Sequence, residues 1–342
     1  MFENRLLRVY ISLILIQIIS IFTLLGVRRD LLFTHIFVIA MGWIIVVLMM
    51  KFKFNWWWQN YLPFFIFCLA LLYLTILIAI PIRGAKRWLE IGQFSLQTSE
   101  VAKPFFLLFV AKIISKKNLH LFTRLLIVFL VVFLTILPII LSPDLGTTIL
   151  FLASSLSIIL VLGIDKKLIL ILIVASMILI PVFYTYGLKD YQRERLVSFL
   201  DPDYDSRGSN YNLKQSLIAI GSGGLFGKGL GLGTQSNYAF LPEKHTDFIF
   251  AALIEQFGAI IGFGLISLYV FLVYELVHYL LSATNEKKLF GVGVLTLIIM
   301  SVIVNIGMNI GLVPVTGITL PLVSYGNSAI IGFMLMFGIL FG

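Results

Sequence analysis

An all-α integral membrane protein of ten spanning helices is what this sequence predicts, and three observations predict it. Hydrophobic residues make up 60% of the 342 positions and charged residues only 12%, about half the charged share of a soluble domain. The charges cluster in short breaks between apolar runs of roughly 20 residues, the length that crosses a bilayer as a helix. Nothing alternates polar with apolar at every second position, as the strands of a membrane barrel do.

The first run, Val9–Val27, follows Arg5 and Arg8 and has no small-residue cleavage site after it. It reads as a retained helix rather than a signal peptide. Leu31–Met50 and Tyr61–Ile82 give the second and third spans, and Trp56-Trp57-Trp58 beside Lys51 and Lys53 reads as an interfacial anchor between them. Cys68, the single cysteine, falls mid-helix in the third span, so no disulfide framework exists and its role is packing. The stretch Arg83–Gln97 is an amphipathic loop expected to lie flat on the outer surface with Trp88 as its anchor.

The fourth span, Val101–Ile114, is introduced by Glu100 and contains Lys103. Three positions apart, the two stack on one helix face and can pair, and either alone in lipid costs at least about 2.5–3.5 kcal/mol. They are expected to line and shape a polar cavity. Leu125–Leu141 and Leu145–Ile164 follow, with Asp144 of Ser142-Pro-Asp-Leu-Gly-Thr147 placed to cap the sixth helix. Leu168–Leu188 is the seventh span. Residues Lys189–Thr246 then form one long connection, which the alternation puts outside the membrane. Within it Leu213–Ile220 has apolar residues at helical spacing and reads as an interfacial helix.

Phe248–Val273, Leu289–Leu312 and Leu322–Gly342 complete the ten. Glu255 in the eighth span needs a polar partner that the sequence does not name. Asn305 and Asn309, four apart in the ninth, suit hydrogen bonds between helices. The segment Gly311–Ser328 holds Pro314, Pro321 and several glycines, which makes it re-entrant or broken. Irregular backbone at membrane depth is tolerated only where it lines a cavity or is buried in protein.

The net charge of +9 suggests a polyanion, but its distribution follows topology. With both termini on one side, twelve lysines and arginines, from Arg5 and Arg8 to Lys287 and Lys288, fall in the short segments of that side, against five on the other. That is the positive-inside rule, and no nucleic acid is implied.

The chemistry concentrates in Leu241-Pro-Glu-Lys-His-Thr-Asp247, where two carboxylates, a histidine and a lysine crowd a helix entrance. Ionisable clusters at such a place are costly and point to acid–base work, with Asp247 the candidate base. The Gly221–Gly233 run is not a P-loop: five residues, not four, separate Gly221 from Gly227-Lys228, and Gly229 stands where a hydroxyl residue belongs. It suits either an anion-binding nest, with Lys228, Arg193 and Arg195 nearby in sequence, or a turn-rich loop with solvated charges.

Taken in order, Gly84-Ala-Lys-Arg-Trp88, Ser99-Glu-Val-Ala-Lys103, Pro143-Asp-Leu-Gly-Thr147, Tyr191-Gln-Arg-Glu-Arg195, Ile218-Ala-Ile-Gly-Ser-Gly-Gly224, Leu241 to Phe250 and Pro314-Val-Thr-Gly317 with Ser324-Tyr-Gly326 carry a resemblance along nearly the whole chain. The sequence resembles the SEDS family (shape, elongation, division and sporulation), in the branch that elongates rod-shaped cells. Thr98, Ser142, Gln256 and Asn327 depart from the residues usual in that family.

The resemblance implies a peptidoglycan glycosyltransferase in the plasma membrane with its active site on the outer side. Its substrate would be lipid II, a disaccharide-pentapeptide on undecaprenyl pyrophosphate, and its product a β-1,4-linked glycan strand. The family's essential aspartate maps onto Asp247. Glu100, Lys103, Asp144, Arg193, Arg195, Gln215, Lys228, His245 and Ser324 are the expected substrate-binding residues. A divalent cation, Mg2+ or Mn2+, is a candidate cofactor, and a class B penicillin-binding protein, the transpeptidase, is the implied partner. A lipid II flippase and a non-catalytic scaffold are the rival readings. Against the first, the charges crowd towards one face; against the second, a scaffold needs no acid–base cluster.

Overall fold

A computed structural model describes residues 2–80, 86–91, 94–161, 209–238 and 240–342, together with Arg193, Glu194, Val197 and Phe199. In chain order the elements are α1 (Phe2–Val27), a short 3-10 turn (Arg29–Leu31), α2 (Leu32–Lys51), α3 (Phe54–Gln59) and α4 (Tyr61–Ile78). A hairpin of β1 (Trp88–Ile91) and β2 (Phe94–Gln97) leads into α5 (Thr98–Ser115), α6 (Leu121–Leu141) and α7 (Leu145–Leu160). Then come α8 (Ser209–Gly223), α9 (Thr234–Asn237), α10 (Ile249–Leu281), α11 (Asn285–Asn309) and α12 (Asn327–Phe341).

Nine of the ten expected spans coincide with helices of this bundle; the seventh, Leu168–Leu188, lies outside the described residues. Six of the described helices are long and apolar enough to cross a membrane, and α7 and α12 are shorter apolar helices. The chain is a multi-pass membrane protein. Exposed Leu, Ile and Phe side chains cover the outer faces of α1, α2, α4 and α6, as a lipid-facing surface requires.

The centre of the bundle is α5. It packs against α4, α6, α7, α11 and α12 and is buried along nearly its whole length. Enclosure on all sides is what lets it carry Glu100 and Lys103, whose carboxylate and ammonium meet at 2.5 Å with both side chains buried. Lys103 also stands 5.9 Å from the centroid of the Phe333 ring on α12. On the side of the termini, Arg8 donates to Glu275 Oε1 at 3.2 Å, tying α1 to α10. These arginines thus serve packing as well as topology.

Three local expectations are revised. Trp56-Trp57-Trp58 is not simply an interfacial anchor: Trp57 and Trp58 are buried in the core, and only Trp56 is exposed. The short helix α3 turns two of the rings inward, where Lys112 lies 4.8 Å from the Trp58 ring centroid. The segment before α5 is an antiparallel hairpin, with Trp88 opposite Gln97 and Ile91 opposite Phe94, where an irregular loop was expected. Its hydrogen bonds satisfy a backbone that has no helix to do so. The tenth helix begins at Asn327, because Leu322 takes φ 62° and the preceding prolines forbid a continuous helix.

The eighth helix is broken rather than continuous. Gly258 takes φ 83°, ψ 172°, inside α10. The glycine run closes on that break: Lys228 N donates to Glu255 O and Gly229 N to Gln256 O, each at 2.9 Å. In return Ala259 N donates to Gly224 O at 2.9 Å and Ile260 N to Leu225 O at 3.3 Å. Helix groups orphaned by the kink are therefore satisfied by the strap. A β-carbon on Gly227 would stand 2.2 Å from Gln256 O, so only glycine permits the approach. These backbone donors hold a helix together, which is neither the anion nest nor the loose loop expected.

Candidate active site

The turn preceding α10 is built from its own backbone. Glu243, at φ 49°, offers its carbonyl to both Thr246 N and Phe248 N at 3.1 Å, and its Oε2 accepts from Thr246 Oγ1 at 3.1 Å. Leu241 and Phe248 bury themselves against Ala219 of α8 and Ala251 of α10, which anchors both ends of the turn.

Three successive carbonyls of this turn are then held by the end of the chain. Tyr325 N donates to His245 O at 2.8 Å, and Ser324 Oγ donates to Thr246 O at 2.6 Å. The amides of Asn305 and Asn309 both donate to Asp247 O at 3.0 Å. Asn309 Oδ1 also accepts from Ala251 N at 3.0 Å, serving one of the orphan N–H groups at the start of α10. Asn305 reaches Ile318 O at 2.7 Å, and Ser216 of α8 donates to Asn309 O at 2.8 Å. The backbone of Asp247 is fixed in this way from α11. Its carboxylate faces Gly317, where an added β-carbon would stand 3.7 Å from Oδ2. Gly317 takes φ 76°, a backbone conformation that favours glycine there.

His245, half-buried, borders the same turn, with its ring 5.9 Å from that of Tyr325. Burial holds its imidazole below the ordinary value of 6.5; Glu243 opposes this, while Arg28 and Lys244 reinforce it. Lys244 is likewise held below its ordinary value, first by burial and then by Arg28. Its ammonium donates to the Ser236 carbonyl.

A second polar group stands on the other side of the irregular segment 311–326. Asp144 caps α7 as expected, accepting from Thr147 N at 3.1 Å. Its second oxygen meets Gln97 Nε2 at 3.3 Å and Arg87 at 3.6 Å. The Arg87 guanidinium also donates to the carbonyls of Ser142 and Pro143. Gly146, the second residue of α7, allows contact with Thr316 and Ile318; a β-carbon there would stand 2.7 Å from Ile318 Cγ1. The Pro-Val-Thr-Gly stretch is thus a thin wall with Asp144 behind it and Asp247 before it. Glu100 and Lys103 continue the Asp144 side through Gln97, whose N–H donates to Ser328 Oγ at 2.8 Å.

The remaining expected residues sit elsewhere. Lys228 is paired with Glu255 at 3.1 Å, which supplies the partner the buried Glu255 requires. Gln215 is half-buried on α8, beside Ser216. Arg193 is half-buried in the described part of the outer loop, and Arg195 lies outside the described residues. Among the described residues no three His, Cys, Asp or Glu side chains gather closely enough to hold a divalent cation, and Glu243 accepts from Thr246.

Of the four departures noted above, two are accounted for by side-chain contacts. Thr98 accepts from Thr75 Oγ1 at 3.0 Å. Ser142 offers Arg87 only its backbone carbonyl, and nothing described explains a serine there. Gln256 joins Thr23 O of α1 to Gly231 N of the glycine strap, at 3.3 Å each. Asn327 leaves its buried Oδ1 without a hydrogen-bond partner among the described residues. The role of Asn305 and Asn309 in holding Asp247 was not read from the sequence. Two amides one turn apart in an apolar helix were the signal; their target is a backbone atom, which no residue type announces.

A family model described as "Cell cycle protein" (FtsW, RodA, SpoVE) matches residues 3–342. The peptidoglycan glycosyltransferase MrdB of Escherichia coli strain K12 is 37% identical over 347 residues, covering 98% of this chain and 92% of that protein. Stage V sporulation protein E of Bacillus subtilis strain 168 is 35% identical, covering 92% and 85%. Among solved structures, a chain of a peptidoglycan synthase complex that coordinates polymerization and crosslinking superposes with a TM-score of 0.84 at 26% identity, covering 97% of this chain and 96% of that one. The rod shape determining protein RodA of Thermus thermophilus shares the fold, with a TM-score of 0.73 at 24% identity over 97% and 94% of the two chains. With a family model spanning residues 3–342 and a relative 37% identical across 98% of this chain, the protein belongs to the FtsW, RodA and SpoVE family of SEDS proteins.

Proposed function

We propose that Asp247 is the general base of a peptidoglycan glycosyltransferase that polymerises lipid II into β-1,4-linked glycan strands. The chain is an enzyme of that class, as a relative matching 98% of its length is. The observation that carries the role of Asp247 is the restraint of carbonyls 245, 246 and 247, which leaves a carboxylate held beside the open surface of Gly317. A base must hold its position to within a fraction of an ångström to be effective.

In the reaction, the acceptor sugar's 4-hydroxyl gives its proton to the Asp247 carboxylate while its oxygen attacks the donor's anomeric carbon. The bond from that carbon to the undecaprenyl pyrophosphate breaks, and the pyrophosphate leaves with the electron pair. The α-linked donor becomes a β-linked product, and such inversion asks for one base on the attacking side. No nucleotide is needed, because the leaving group is already on the substrate. Arg193 and Arg195 are the outer-loop cations assigned to the developing negative charge. Lys228, already neutralised by Glu255, contributes less. Glu100, Lys103 and Asp144 shape the polar wall behind Thr316 and Gly317, Ser324 and His245 support the turn, and Gln215 lies along α8 at its edge.

We place the reaction at the outer face of the plasma membrane, with a class B penicillin-binding protein as the partner that cross-links the product. The structural neighbour, a synthase complex joining polymerization to crosslinking, supports that pairing. The test is polymerisation of lipid II in detergent by wild type and Asp247→Asn, with and without the partner. Polymer from wild type and none from a folded, partner-bound Asp247→Asn is the expected result. Polymer at the wild-type rate from the variant would remove Asp247 as base.

A further inference from the structure

The turn that restrains Asp247 is itself strained. Leu322, a buried leucine, takes φ 62°, a left-handed conformation that a non-glycine side chain adopts only when its surroundings dictate it. Two side chains grip the backbone on either side of it. Tyr269 of α10 donates to Pro321 O at 2.5 Å, and Ser20 of α1 donates to Val323 O at 2.6 Å.

Ser20 has a second contact, with His35 Nε2 of α2 at 2.7 Å. A hydroxyl carries one proton, and a carbonyl can only accept, so the Ser20 proton goes to Val323. Ser20 must then accept from His35, which fixes an N–H on Nε2. His35 is fully buried, and its Nδ1 has no hydrogen-bond partner among the described residues, so that nitrogen keeps its lone pair. A neutral imidazole thus serves one purpose here: it orients the Ser20 hydroxyl towards Val323. The His35 ring also lies 5.9 Å from the Tyr325 ring, whose other neighbour is the His245 ring at the same separation. From Val323 the chain runs directly to Ser324 and Tyr325, the donors to Thr246 O and His245 O.

We infer that Ser20 and His35 are positioning residues for Asp247, acting through the Leu322–Val323 turn. The inference rests on Asp247 as the base. Neither residue touches the proposed substrate space, so their loss acts on the chemical step rather than on binding. Misplacing a reacting group by about an ångström costs on the order of a hundredfold in rate.

The experiment measures kcat and KM for lipid II polymerisation by the purified full chain with its class B partner, for Ser20→Ala, His35→Leu and His35→Gln. The amide of Gln places an N–H where the imidazole Nε2 stood. Ser20→Ala and His35→Leu are expected to lower kcat by roughly 10- to 100-fold with KM within about twofold of wild type, and His35→Gln to restore most of the rate. Should Ser20→Ala not fold, the two His35 variants read the same link from its other end. A wild-type kcat for Ser20→Ala and His35→Leu, with only the melting temperature lowered, would overturn the inference and leave a packing role. Asp247→Asn run in parallel separates the two failures. If it keeps the wild-type rate, the base assignment fails; if it is inactive while the positioning variants turn over normally, only the positioning fails.

Discussion

Lys228 meets Glu255 at 3.1 Å across the break in α10, and this contact fastens the glycine strap to the helix it spans. The carboxylate is wholly buried and also accepts from Gln235 N, Ser236 N and Ser236 Oγ at 2.6–2.9 Å. The lysine is partly exposed. One partner is thus a hub and the other a clip.

Their removal should therefore be unequal. Glu255→Ala leaves several buried donors unsatisfied and is expected to cost more than about 3 kcal/mol. Lys228→Met leaves the carboxylate its neutral donors and is expected to cost about 1–3 kcal/mol. Thermal unfolding in detergent reads the order, and equal losses would contradict the assignment of Glu255 as the hub.

Asn309→Ala should weaken activity and stability together. It removes a donor to Asp247 O and an acceptor from Ala251 N, each worth about 1 kcal/mol or more when buried. Polymerisation is expected to fall with little change in KM. Wild-type kcat in a destabilised variant would show that Asn305 alone suffices to hold Asp247.

Glu100 and Lys103 lend themselves to a double-mutant cycle. Breaking a buried pair from one side leaves an uncompensated charge, a loss of about 3–5 kcal/mol for Lys103→Met alone. Glu100→Gln together with Lys103→Met should recover much of that loss. If the double variant is stable yet inactive, the pair also serves the substrate; if active, it serves packing alone. Melting temperature and polymer yield on the same samples decide.

The fold was legible in the sequence wherever a helix had to cross lipid, because an unbroken apolar run of that length has few other uses. The ionisable residues of α5 were legible too, since their presence demanded enclosure. What could not be read were contacts made to backbone atoms. The carbonyl of Asp247 is held from 58 and 62 positions away, and that of Thr246 from 78. The glycine run hid its purpose for the same reason: it is matched to main-chain groups freed at Gly258, and no side-chain pattern records them. The hairpin at Trp88–Gln97 escaped because a mixed polar and apolar stretch next to a membrane fits several conformations.

His245 adds a pH dependence with a definite sign. Its folded-state value lies below the ordinary 6.5, so between the two values the unfolded chain binds more protons. Its contribution is complete above pH 6.5 and is lost as pH falls through the lower, folded value. His245→Gln should flatten the stability profile in that acidic window and leave it unchanged above neutrality. An identical acid slope in the variant would mean that another group sets it.

The clamp on residues 245–247 also bears on how the protein is made. Domains and their parts leave the ribosome in order from the N-terminus, yet among the described residues the donors to these three carbonyls lie in α11 or in the turn before α12. The carbonyls of residues 245–247 therefore wait up to some eighty further residues of synthesis for these donors. A nascent or truncated chain can present the aspartate without its geometry. The geometry that restrains residues 245–247 is complete only once the turn before α12 has been made and folded back onto them.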